Sequence, residues 1–127
     1  MNKFALKSAA IILLSAFVVA PAFAGDVEAG EGAFKKKCKM CHANKDGAKS
    51  GMGPNLFGIM GRKAGSLADF ASKYSDGMKA AGVWDDAALL KLIEDPKKFV
   101  EGIKMKGGKV TDATQRADIV AYVNTLK

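Results

Sequence analysis

The sequence predicts a small all-α domain, and three observations carry that prediction. Apolar residues recur at helical spacing in three stretches, each entered near an aspartate: Asp26, Asp85 or Asp86, and Thr111 or Asp112. No stretch alternates apolar and polar residues as a half-buried strand would, and no internal repeat or low-complexity tract is present. The segments between the helical stretches are rich in Gly, Lys and Ser and read as loops.

The chain of 127 residues opens with a segment unlike the rest. Lys3 and Lys7 precede an apolar run from Ser8 to Ala20, followed by Pro21 and Ala22-Phe23-Ala24. That is the layout of a secretory signal, with cleavage expected before Gly25. The apolar run is short for a spanning helix, which needs roughly twenty residues. Residues 1–24 are therefore read as a signal peptide and 25–127 as one domain, exported to a bacterial periplasm without stable membrane insertion after cleavage.

Gly25 to Lys37 is the first helix, capped by Asp26, with Val27, Gly30, Phe34 and Cys38 close to one face. Lys45 to Pro54 and the stretch around Gly58, Gly61 and Gly65 are loops able to wrap a flat group. Ser75 to Ala81 is a short helix, and Asp85 to Glu94 a longer one that buries Leu89, Leu92 and Ile93 and stops before Pro96. The last helix runs to Leu126 with Ile119, Tyr122, Val123 and Leu126 on one stripe. The first helix is its expected partner, because Gly30 lets a crossing helix approach and Phe34 offers a ring to Tyr122.

The formal charge is +7, and losing Lys3 and Lys7 lowers it by two, to +5. A basic surface suits docking on acidic partners. Nucleic acid is the rival reading of a basic chain, but export and the mixing of lysines with acids argue against it. A domain of this size is marginal for burying a large core from side chains alone, so a bound apolar cofactor would help fill it.

Two cysteines in an exported chain ordinarily suggest a disulfide. Here they stand as Cys38-Lys39-Met40-Cys41-His42, the C-x-x-C-H pattern of haem c attachment. Two thiols add to the two vinyl groups on one porphyrin edge while the next residue places an imidazole beneath the iron. A redox dithiol would sit in a β-α-β pattern that is absent. A zinc site would need further ligands, yet there is no third cysteine and His42 is the only histidine. For the sixth iron position a second histidine is excluded, which leaves methionine, water or an amine. Met40 lies within the motif; Met52, Met60 and Met78 read as packing or exposed residues. Met105 lies far along the chain, in a loop with Gly102, Gly107 and Gly108 about it and Lys104 and Lys106 beside it, and best fits an approach from the opposite face.

These residues resemble the class I cytochrome c family, in the branch of mitochondrial cytochrome c and bacterial cytochromes of similar size. The likeness covers nearly all of 25–127. It rests on Cys38-Lys39-Met40-Cys41-His42, Gly53-Pro54-Asn55-Leu56-Phe57-Gly58, Gly61-Arg62-Lys63-Ala64-Gly65, Asp95-Pro96-Lys97-Lys98-Phe99, Lys104-Met105 and Arg116-Ala117-Asp118.

The resemblance implies a small cytochrome c fold, with three main helices and short ones around one covalently bound haem c. It implies iron ligation by His42 and Met105, attachment at Cys38 and Cys41, and a Pro54 carbonyl aimed at the axial imidazole, as outer partners of metal-binding histidines orient their rings. Arg62, Tyr74 and Trp84 match the family's residues near the buried propionates, whose charge is costly to bury unpaired. For Trp84 plain core packing is an equal alternative, and for Tyr122 it is the favoured reading.

Two departures from the mitochondrial pattern lie beside the sixth ligand. Leu92 stands where a tyrosine is usual and Ile103 where a threonine is usual, so two hydroxyls are missing. His/Met ligation is expected to survive, with a potential and alkaline stability different from the mitochondrial type.

The job implied is one-electron shuttling. Thioether ligation and burial of the haem both raise the potential, and with neither axial position open no enzymatic activity is implied. Lys37, Lys39, Lys49, Lys97, Lys98, Lys104 and Lys106 are candidates for a docking ring toward redox proteins with acidic patches: a quinol-cytochrome c reductase-like donor and an oxidase or other reductase as acceptor, met as a monomer. Two rivals differ in class. One is a haem enzyme or gas sensor whose Met105 dissociates; the other is a haem-free dithiol protein.

Overall fold

The computed structural model describes residues 25–127. The expected signal, residues 1–24, lies outside the described residues. Five α-helices follow in order: α1 (Val27–Lys37), α2 (Asp76–Lys79), α3 (Asp86–Glu94), α4 (Pro96–Phe99) and α5 (Ala113–Val123), with a 3-10 helix at Ala68–Lys73 ahead of α2. Among the described residues the only β-type pairing is an isolated bridge between Lys63 and Val83. The all-α class holds, with three long helices and the rest short.

Each α-helix is started by a side chain that satisfies an amide the first turn leaves unpaired. Asp26 accepts from Ala29 N–H, Asp85 from Ala88, Asp95 from Lys98 and Asp112 from Gln115. Ser75 does the same for α2 through Met78 N–H. Pro96 does more than end α3. Its fixed φ and missing N–H suit a first helical position, so Asp95 closes one helix and caps the next. The 3-10 helix and α4 are the two elements the periodicity did not reveal, since neither is long enough to show a repeat.

The core forms where α1 crosses α5 and α3 packs beside it. A Cβ on Gly30 would overlap the Asp118 carbonyl, so glycine is what permits the α1–α5 approach. Phe34, with no exposed surface, meets Tyr122 at a ring-centroid distance of 5.2 Å. Leu89, Leu92, Ile93, Ile119, Val120, Val123 and Leu126 are buried with them. Val27 is the exception on α1: the buried face is Gly30, Ala33 and Phe34, and Val27 stays 46% exposed although Gly25 and Asp26 just ahead of it meet α5 at Ala117 and Asp118. No helix among the described residues is long and apolar enough to cross a membrane.

Candidate haem-attachment site

Cys38 caps the C-terminus of α1 through its N–H to the Phe34 carbonyl. A tight turn follows, in which Cys41 and His42 N–H both donate to the Cys38 carbonyl. The turn places both thiols and the imidazole within one short arc of chain. Both thiols are free, Cys38 half-buried and Cys41 exposed. Burial pushes the Cys38 thiol up to about 11, so it stays protonated at neutral pH.

The imidazole is held from the far side of the loop. His42 Nδ1 lies 2.8 Å from the Pro54 carbonyl, and because a carbonyl only accepts, the proton is on Nδ1. A Cβ on Gly53 would overlap the His42 ring, so the backbone at Gly53 lies directly against the imidazole. Burial holds His42 below the ordinary histidine range, opposed by the Pro54 bond. The ring is therefore neutral at pH 7, with the Nε2 lone pair available. Nε2 makes no hydrogen bond to any described residue, and no buried side-chain nitrogen or oxygen lacks a partner, so this atom opens on accessible space.

The loop that carries Pro54 is built around one polar side chain that the residue patterns did not single out for a role. Asn55 is the single buried polar residue among those described, 7% exposed. Its Nδ2 donates to the Lys45 and Ala48 carbonyls, its Oδ1 accepts from Phe57 N–H, and its own N–H donates to Ser50 Oγ. Ser50 in turn donates through N–H and hydroxyl to Asp69, tying the loop to the 3-10 helix. Asn44 Nδ2 donates to the Tyr122 hydroxyl at 2.8 Å, so Tyr122 is a core ring with a polar tether. Asn and Ser are common loop residues, and nothing in their spacing marks a hub.

Met105 sits half-buried between α4 and α5, with exposed Lys104 and Lys106 on either side. Its methyl group, at the end of a flexible side chain, lies against Gly108, and the φ of +85° there favours glycine. Arg62 Nη2 donates to the Phe57 carbonyl at 2.7 Å. Trp84 is buried and packs on Phe99 at 6.4 Å, and Tyr74 is half-buried with its ring edge-on to Phe70 at 5.0 Å. Leu92 is buried on α3 and Ile103 half-buried ahead of Met105.

These residues fit a porphyrin. Two free thiols flank a neutral, oriented imidazole whose second nitrogen is open, and Leu56, Phe57, Met60, Met78, Leu90 and Ile103 form apolar surface only partly covered by the core. Partly exposed apolar side chains of this kind suit an apolar partner.

Helices, motif and lining together define a domain built to carry a covalently attached haem. The family model described as Cytochrome c matches residues 27–127. Cytochrome c of Euglena viridis is 41% identical over 104 residues, covering 81% of this chain and 99% of its own length. Cytochrome c of Chlamydomonas reinhardtii is 40% identical over 111 residues, 87% of this chain and 96% of its own. That of Theileria annulata is 42% identical over 100 residues, 78% and 84%. The chain belongs to the cytochrome c family. Its cofactor is accordingly haem c, and its role that of a monohaem c-type electron carrier working with redox protein partners.

Proposed function

We propose that residues 25–127 form a soluble periplasmic electron carrier, released from a signal of residues 1–24, with one haem c ligated by His42 and Met105. The observation that carries the ligation reading is the His42 geometry: Nδ1 committed to Pro54 and Nε2 open beside two free thiols. Haem, when bound, supplies a one-electron couple at its iron. The chain's own part is to bind and orient. Cys38 and Cys41 would anchor the macrocycle, Pro54 fixes the ring of His42 that would hold the iron, and Met105 would supply the second ligand. Arg62, Tyr74 and Trp84 would meet the propionates, whose buried charge a guanidinium or a donor would offset. With His42 and Met105 both holding the iron, no position would remain for a substrate, and the protein is read as a carrier and not an enzyme.

All seven lysines of the expected docking ring are exposed, and none is within 4 Å of a carboxylate among the described residues. Their charge is available to steer a partner with an acidic patch. A quinol-cytochrome c reductase-like donor and an oxidase or other reductase fit that description, met by a monomer. Export to a bacterial periplasm rests on the layout of residues 1–24 alone.

One spectrum tests the centre of this reading. The purified oxidised protein should be red and low-spin, show the near-infrared methionine-to-iron band, and keep its haem in denaturant. A high-spin ferric form that binds carbon monoxide readily once reduced would favour the open-iron reading, in which the sparsely bonded Met105 segment stays open. Mass spectrometry of the exported protein should give a chain beginning at Gly25.

A further inference from the structure

We infer that Arg116, on α5, is a positioning residue for Met105, acting as the clamp that holds the C-terminal end of the Met105 loop closed. The inference rests on the His42/Met105 ligation proposed above. No backbone–backbone hydrogen bond reaches residues 104–109 among those described; the nearest are Ile103 N–H to the Val100 carbonyl and Val110 N–H to the Ile93 carbonyl at 2.7 Å. The segment carrying Met105 therefore hangs between two anchors.

The second anchor is built around Val110, which has no exposed surface. Its N–H is taken by α3, and its carbonyl by Arg116 Nη1 at 2.7 Å, which also donates to the Thr111 carbonyl at 3.0 Å. One guanidinium nitrogen thus closes two carbonyls at the point where the loop joins α5. The Arg116 side chain is only 15% exposed, so its bond to the buried Val110 competes little with water, while the Thr111 carbonyl is nearer the surface. Its Nη2 lies 4.0 Å from Glu94, whose side chain is 63% exposed, and such a contact is weak. The hold is through the carbonyls.

Without Arg116 two carbonyls lose a charged donor and the anchor rests on the Val110 N–H and its buried side chain. The loop then opens more often, while the His42 side, which Arg116 does not touch, is unchanged. Bonds from a charged donor of this kind shift such an equilibrium roughly tenfold.

Imidazole added to the oxidised holoprotein measures the opening, since it takes the iron only while Met105 is off, and its apparent affinity scales with the open fraction. R116Q should bind imidazole roughly tenfold more tightly than wild type. R116K, which keeps the charge with fewer donors, should fall between them, and E94Q should match wild type. N124A is the control for general loosening of α5, because Asn124 Nδ2 ties α5 to Asp86 of α3 without touching the loop. It should lower the guanidinium unfolding midpoint yet leave imidazole affinity unchanged. The inference is overturned if R116Q and R116K bind imidazole as wild type does, or if N124A tightens binding as much as R116Q. A wild-type protein with no methionine-to-iron band removes the ligation itself, and the clamp with it, and that result is distinct from a band that is present but indifferent to Arg116.

Discussion

The two loops that bring His42 and Met105 to the site are held in opposite ways. The histidine loop is knitted along its length: Gly53 N–H donates to the Cys41 carbonyl, Leu56 N–H to that of Ala43, Nδ1 of His42 to Pro54, and Asn55 closes four bonds by itself. The methionine loop has no backbone bond over residues 104–109 and depends on its ends. Regions with few internal bonds open at lower free energy than the rest of a fold. The fold thus holds His42 firmly and leaves Met105, the proposed second ligand, on a segment free to open.

The largest expected effect lies on the knitted side. Asn55→Ala removes three side-chain hydrogen bonds and leaves buried backbone groups unpaired, which should lower the guanidinium unfolding free energy of the holoprotein by about 3 kcal/mol. A loss under half of that would show the loop to be less cooperative than its bonding.

Gly108→Ala addresses the other side. It forces a side chain into a left-handed conformation, at about 1–2 kcal/mol, and against the Met105 methyl. The cost should fall on loop closure. The methionine-to-iron band should disappear at a lower temperature than in wild type, while the far-ultraviolet helix signal melts within a few degrees of it. Equal shifts in both signals would mean that the two loops open together.

Tyr122→Phe keeps the ring against Phe34 and removes the acceptor of Asn44 Nδ2, an expected loss of about 1 kcal/mol with the band unaffected. It separates the core contribution of Tyr122 from its tether to the histidine loop.

The smallest effect depends on pH. Ser50 N–H and hydroxyl both donate to Asp69 and hold its carboxyl below the ordinary aspartate range. As pH falls the unfolded chain takes up the proton first. The contribution is therefore present above the ordinary aspartate pKa and is lost as pH falls through the native value. Asp69→Asn should flatten the acid limb of stability measured by denaturant midpoints between pH 7 and pH 3, with little change at neutrality. An acid limb identical to wild type would show that the Ser50–Asp69 link carries none of it.

Much of this molecule is decided within short stretches of sequence. Helix starts at Asp26, Asp85 and Asp112, the buried stripe of α5 and the arc from Cys38 to His42 depend on residues within a turn or two of one another, so spacing reveals them. What spacing cannot reach is how loops are closed. Asn55 became a hub, Asp69 a staple and Arg116 a clamp because the fold turned particular carbonyls and amides toward them, and any loop asparagine or surface arginine looks the same beforehand. The resemblance pointed to Pro54 as the partner of His42; the packing of the backbone at Gly53 against the ring is tertiary. A helix satisfies its own backbone locally, whereas a loop must borrow partners from elsewhere in the chain, and those partners exist only once the chain has folded.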